Sequence, residues 1–306
     1  MKAFISTSSF AEYSKDSLNL LKSNNIEFIL NPYKRKLTDA ETIDLAKDVD
    51  YIVAGVENYN IEVLNNLNNL KCISRVGVGF DSINIEELKR RNIPLFLTTN
   101  SATEAVAELS VALCFNMLRN ISKSDRDMKS GKWIKHTGYL LNGKTVGIIG
   151  LGRIGKSTAL KYQNLGCKIL AFDLYPDLNW ANSNNINLVQ MNEVLINSDI
   201  ISIHVPGVGT GESLINLKEL NLLKRECFVI NLSRGGVVNE NDLFIFLSMN
   251  TSIQFALDVY ENEPYSGDLI NLKNITFTPH IGTYTIESKI QMEMEAVKNL
   301  INYINL

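Results

Sequence analysis

The chain has 306 residues, a formal net charge of −3, 45% apolar and 21% charged residues. That length exceeds one ordinary core and points to two domains of a globular protein. The balance of charge excludes the basic footprint of a nucleic-acid binder, and no apolar run is long enough to span a bilayer. Four cysteines (Cys72, Cys114, Cys167 and Cys227) are scattered without a CxxC, and the three histidines lie apart from them. They read as small core residues of a reduced, cytoplasmic protein, and no metal site is expected.

Residues 2–6 read as a first strand, too short in apolar run for a leader. Further strands are expected at 26–31, 51–55, 72–77 and 94–99, with helical runs between them. Strands alternating with helices predict a parallel sheet covered on both faces. Residues 102–117 form a long apolar helix that needs a partner surface, either between domains or between subunits. A polar, mobile-looking stretch follows at 119–142, with Trp133 and a solvent-exposed His136. A second strand–helix series is expected from 145 onward, with strands at 145–150, 168–173, 186–189, 200–204, 227–232, 255–258 and 274–278. His204 ends one of them and reads as structural. The last helix, 285–303, follows a complete second sheet and is expected to return to the first domain. Asparagine is abundant and reads as compositional bias.

Residues 144–155 read KTVGIIGLGRIG. An apolar strand runs into Gly150, which permits the tight turn. Gly152 lets a pyrophosphate approach the backbone, with Arg153 and Ile154 opening the helix. Gly155 lets that helix pack closely on the sheet. The phosphates are expected on the free N–H groups of the helix start. The next strand ends in Asp173, placed for the adenosine ribose. A carboxylate there repels a 2′-phosphate and no arginine adjoins it, so NAD is favoured over NADP.

Three later strands end in NLSRGG (231–236), DVYENEP (258–264) and TPHIG (278–282). Strand ends are where doubly wound sheets bind ligands. These motifs, in this order, with RVGVGFDSIN (75–84) and SGKWIKHTGYLLNGKTVGIIG (130–150), resemble the D-isomer-specific 2-hydroxyacid dehydrogenases, most closely their phosphoglycerate dehydrogenase-like branch. The resemblance implies two doubly wound parallel-sheet domains. A Rossmann NAD domain (100–282) is inserted into a flavodoxin-like substrate domain (1–99 plus 283–306).

It also implies an NAD-dependent oxidoreductase of the CH–OH group that moves a hydride between the cofactor and C2 of a small 2-keto acid. His280 is then the general acid, suited by an imidazole near neutral pH. Glu263 pairs with it and favours its charged form. Arg234 grips the substrate carboxylate with a rigid fork of donors. Val205, Pro206, Ser233, Asp258 and Gly282 are implied along the cofactor. Arg75, Gly77, Val78 and Gly79 are implied around the substrate, with glycine-loop N–H groups meeting its carboxylate. After Pro206 the chain carries Gly211 where the resemblance leads one to expect threonine, and neither Thr210 nor Ser213 is assigned that contact. A homodimer is implied as well.

The single best substrate expectation is 3-phosphoglycerate, with glyoxylate, hydroxypyruvate or another small keto acid as the alternative. One departure bears on that choice. Ala54 stands where the branch places an arginine for the phosphate, and Glu57 brings the opposite charge. Phosphate recognition would then need Lys34, Arg35, Lys36 or Arg75. A third class on this fold, NAD(H)-sensing co-repressors, is separated from the enzymes by an absence of turnover.

Overall fold

The computed structural model describes residues 1–207 and 211–306. The chain divides into two compact units, Met1–Ala102 with Thr283–Leu306, and Thr103–Gly282.

The first unit contains β1 (Lys2–Ile5), α1 (Asp16–Ser23), β2 (Glu27–Leu30), α2 (Asp39–Ala46), β3 (Tyr51–Ala54), α3 (Ile61–Asn65), β4 (Cys72–Arg75), α4 (Ile85–Arg90) and β5 (Leu95–Leu97). Its five parallel strands are ordered β2-β1-β3-β4-β5. The all-buried pattern of β3 follows from helices on both faces.

The second unit contains α5 (Thr103–Leu118), α6 (Ile121–Lys129), β6 (Thr145–Ile149), α7 (Arg153–Asn164), β7 (Lys168–Phe172), α8 (Leu178–Ser183), β8 (Asn187–Leu188), α9 (Met191–Asn197), β9 (Ile200–Ile203), α10 (Leu217–Leu220), β10 (Phe228–Asn231), α11 (Glu240–Met249), β11 (Gln254–Leu257) and β12 (Ile275–Phe277). Seven parallel strands are ordered β12-β11-β10-β9-β6-β7-β8. Strand order reverses between β6 and β9, which places a ligand crevice at the carboxyl ends of those two strands. The final helix, α12 (Ile286–Ile304), belongs to the first unit, where Ala296, Val297 and Leu300 join the core around Ile5 and Val53. Among the described residues, no helix is long and apolar enough to cross a membrane.

Three expectations are corrected. The apolar helix α5 has its partner inside its own unit, where Val106, Leu113, Cys114 and Met117 pack with Ile148, Ala159 and Ile230. The stretch 119–142 is not loose. Its first part is helix α6, held by an Asp125–Lys129 pair at 2.8 Å. Its second part folds back on α5, with Tyr139 N–H donating to Leu118 O at 2.9 Å. His136 is 15% exposed and bonds Asp127 Oδ2 at 2.6 Å, so it is not a solvent-facing side chain. Nor is asparagine mere bias. Asn60, Asn84 and Asn239 cap α3, α4 and α11 with their side chains. Asn25, Asn92, Asn120 and Asn185 take left-handed turns that asparagine tolerates well.

Candidate functional site

The glycine turn stands at the carboxyl end of β6. Gly150 has φ +95°, and a Cβ there would lie 2.5 Å from His204 O. A Cβ on Gly155 would collide with Gly150 O, so any side chain would push α7 off the sheet. A Cβ on Gly152, by contrast, meets nothing within 4 Å. Gly152 caps α7 without a side-chain hydrogen bond, which leaves the first-turn N–H groups of Arg153, Ile154 and Gly155 to a ligand. Val205 and Pro206 follow β9 beside this turn, with Val205 Cγ1 3.0 Å from the Cβ position of Gly150.

Asp173 does more than its spacing suggests. Oδ2 accepts the Leu151 N–H at 2.6 Å and Oδ1 accepts the Tyr175 N–H at 2.8 Å. The acid expected at a ribose also ties the glycine turn to the end of β7. Each oxygen keeps a further lone pair for a hydroxyl. The open space at Gly152, the uncapped helix and this carboxylate together fit a dinucleotide without a 2′-phosphate. Replacing Asp173 with alanine is expected to raise the KM for NADH about tenfold, the worth of one or two lost hydrogen bonds. An unchanged KM in steady-state kinetics would overturn that role.

The ends of β10, β11 and β12 carry the remaining polar groups of this unit. His280 has φ +53°, and its Nδ1 lies 2.7 Å from Glu263 Oε2. Glu263 Oε1 accepts the Tyr260 N–H at 3.2 Å, which orients the carboxylate. The left-handed turn at His280 is held from beneath by Asp258, only 1% exposed. Asp258 Oδ1 accepts from Thr278 Oγ1 at 2.6 Å and from Ile281 N–H at 2.8 Å. Asp258 Oδ2 accepts the Gly282 N–H at 2.8 Å. Burial pushes the Asp258 carboxyl above its ordinary range, and the hydrogen bonds oppose that rise. Expected as a cofactor contact, Asp258 is thus first the brace of the histidine turn.

Arg234 follows β10 on a turn built by its neighbours. Asn231 Oδ1 accepts both the Ser233 N–H and the Ser233 hydroxyl, at 3.1 and 2.7 Å. Ser233 is buried, so the geometry gives it a bracing role where a cofactor contact was expected. One guanidinium nitrogen of Arg234 donates to Ser233 O at 2.7 Å. Gly235 is obligatory here, since a Cβ would collide with Tyr260 O. That contact packs the Arg234 turn against the loop that carries Glu263. His204 takes the structural place expected of it. Its Nε2 bonds Ser202 Oγ at 2.8 Å, Ser202 bonds Ser110 at 2.8 Å, and Ser110 bonds Tyr162 at 3.1 Å. Burial pushes the His204 imidazole down to about 3, so it stays neutral. Thr210 lies outside the described residues.

The loop after β4 in the first unit differs in part from expectation. The Gly77 N–H donates to Thr98 Oγ1 at 2.6 Å and is therefore not offered to a ligand. Among the described residues, the N–H groups of Val78 and Gly79 take no protein acceptor. Arg75 turns back on the backbone, with Nη1 donating to Val76 O and, at 3.4 Å, to Ala54 O. It lies under Gly77, 3.4 Å from where a Cβ would stand, and so braces the loop.

Known proteins align with this arrangement. The family model for the D-isomer specific 2-hydroxyacid dehydrogenase NAD binding domain matches residues 111–282. A glyoxylate reductase of Thermococcus litoralis is 36% identical over 272 residues, covering 85% of this chain and 82% of its own length. A D-3-phosphoglycerate dehydrogenase of Archaeoglobus fulgidus is 33% identical over 294 residues, 94% of this chain. The chain spans 55%, about half, of that relative's length. A solved protein of Thermus thermophilus superposes with a TM-score of 0.89 at 25% identity, over 100% of this chain and 97% of that one. The chain belongs to the D-isomer-specific 2-hydroxyacid dehydrogenases, NAD-dependent oxidoreductases of the CH–OH group.

Proposed function

We propose that this chain interconverts a short 2-keto acid and its D-2-hydroxy acid at the carboxyl edge of the β6–β9–β10–β11–β12 strands. The observation that carries the reading is the His280–Glu263 pair at 2.7 Å, on a turn braced by buried Asp258. Bound NADH supplies the hydride that adds to C2. With Nδ1 held by Glu263, His280 presents Nε2 to the C2 oxygen and delivers the proton that completes the alcohol. In the oxidative direction the same nitrogen takes that proton back. Arg234 offers a fork of donors to the substrate carboxylate.

The test is NADH oxidation against a panel of glyoxylate, hydroxypyruvate, 3-phosphohydroxypyruvate and pyruvate. Turnover of at least one is expected. Tight NADH binding with no turnover of any would sink the dehydrogenase reading and leave an NAD(H)-sensing binding protein. Relatives named for 3-phosphoglycerate and for glyoxylate both stand close to this chain, so the homology leaves the acid open.

A homodimer through the 121–140 region is part of the proposal. Trp133 is 79% exposed and Leu140 78%, with Ile121, Met128 and Ile134 exposed beside them in sequence. Apolar surface of this kind marks an interaction face. Light scattering that returns the mass of one chain overturns it. A cytoplasmic location is proposed from the four buried free thiols, which suit a reducing compartment.

A further inference from the structure

We propose that Asn231 is a positioning residue that aims Arg234 and registers its turn to the turn carrying His280. The inference rests on the dehydrogenase reading above and deepens it, with Asn231 acting only through its neighbours. Asn231 is the last residue of β10 and is only 2% exposed. An apolar strand, FVIN, thus closes on a buried amide. Burying an amide is costly unless its hydrogen bonds are made, and packing alone would be served better by another apolar side chain.

Both ends of this amide are used, and on one short turn. Oδ1 accepts the Ser233 N–H at 3.1 Å and the Ser233 hydroxyl at 2.7 Å. Nδ2 donates to the Arg234 carbonyl oxygen at 3.2 Å. Among the described residues, every bond of the side chain goes to this turn. A flipped amide would set donor against donor at Ser233 and acceptor against acceptor at Arg234, so the network fixes its orientation.

The two contacts lie on either side of the Arg234 Cα, one through Ser233 before it and one through its own carbonyl after it. They set the backbone torsions at Arg234, on which the choice of side-chain rotamer depends. A small rotation at that Cα is magnified at the far guanidinium. One guanidinium nitrogen already returns to Ser233 O at 2.7 Å, so the side chain is referred to the same turn.

The main chain of Asn231 serves the other half of the site. Its carbonyl oxygen accepts the Asp258 N–H at 3.1 Å. Asp258 in turn accepts the Ile281 and Gly282 N–H groups, each at 2.8 Å, beneath His280. One residue at the end of β10 therefore ties the carboxylate grip to the proton donor. No other side chain of this size does the same work. An ionised aspartate has acceptors only and would repel Arg234 O. A leucine would leave the Ser233 N–H and hydroxyl buried without an acceptor.

The test is a double-mutant cycle on the NADH-loaded protein, with Asn231→Ala, Asn231→Asp, Arg234→Ala and the two double variants. Two quantities are read. One is kcat/KM for the fastest keto acid of the panel, and the other is the affinity for oxamate, an unreactive 2-keto acid mimic, by calorimetry. N231A is expected to lower both about thirtyfold when Arg234 is present and less than about threefold when it is absent, since nothing is then left to aim. N231D keeps an acceptor for Ser233 and loses only the bond to Arg234 O, so about tenfold is expected, again only with Arg234 present. NADH affinity should stay within about threefold in both single variants. Equal losses with and without Arg234 overturn the proposal and make Asn231 a general support of the fold, as does a fall in NADH affinity that matches the fall in oxamate affinity. Turnover without the dependence on Arg234 leaves the dehydrogenase reading standing and sinks the role of Asn231. If no acid is turned over but oxamate affinity shows that dependence, the dehydrogenase reading fails while the role of Asn231 stands.

Discussion

Replacing His280 with alanine or asparagine is expected to lower kcat for keto-acid reduction about a thousandfold, the usual worth of a positioned general acid. The affinity for NADH should stay within about threefold, no more than one hydrogen bond's worth. The two variants serve different ends. His280 sits at φ +53°, a backbone conformation that strains alanine and that asparagine tolerates. A loss shared by both variants is chemical, and one confined to alanine is backbone strain. The side chain is 52% exposed, so its removal leaves no cavity. Its ring bonds the Glu263 carboxylate at 2.7 Å. Glu263→Gln keeps an acceptor for Nδ1 but removes the charge, and a smaller loss of about tenfold is expected. Single-turnover kinetics at saturating NADH check both results. H280N retaining more than a tenth of wild-type kcat would remove His280 from the chemistry, and a large loss of NADH affinity would make it structural.

Much of this site is legible along the chain because its parts are local. The glycine turn is a contact between Gly150 and Gly155, five residues apart, and the apolar runs before each motif are buried parallel strands. What stayed hidden depends on hydrogen bonds between distant segments. Asp258 braces Ile281 and Gly282 across more than twenty residues, and no periodicity records that. Asp173 reaches back to Leu151 over a similar span. Gly77 looked like a ligand donor until Thr98, just past the neighbouring strand β5, took its N–H. Helix α6 was missed because its residues are polar on nearly every face. Its start is tied down at the 116–122 junction, where Asn116 Oδ1 accepts the Ser122 N–H at 2.9 Å. Glu57 reads in the sequence only as a charge opposite to the one a phosphate needs, and only the tertiary fold buries it against Ser6.

Glu293 is expected to withdraw stability as pH rises from about 5 to 8. This residue of α12 is 4% exposed, with Oε2 accepting the Ala11 N–H at 2.9 Å. Burial pushes its carboxyl up to about 7 from an ordinary 4.5, against the lowering pull of that hydrogen bond, Lys289 and Lys15 and with the raising push of Glu12. Below pH 4.5 the carboxyl is protonated in both folded and unfolded chains, so the folded state carries no penalty. Between 4.5 and 7 the folded chain holds a proton that the unfolded chain has released, and each pH unit costs about 1.4 kcal/mol. Above 7 both states are ionised and the full cost, about 3 kcal/mol, is in place. His204 works in the other direction. Buried and neutral, with its imidazole pushed down to about 3, it contributes stability that is lost as pH falls from about 6.5 toward that value. The two slopes partly cancel in wild type, so the measurement is a difference between proteins. Glu293→Gln keeps an acceptor for Ala11 and has no proton to lose. Urea unfolding of both proteins should put E293Q ahead by under about 1 kcal/mol at pH 5 and by about 3 kcal/mol at pH 8. A difference that stays constant across that range would mean that Glu293 is ionised in the folded chain throughout, with Lys289 and Lys15 outweighing its burial.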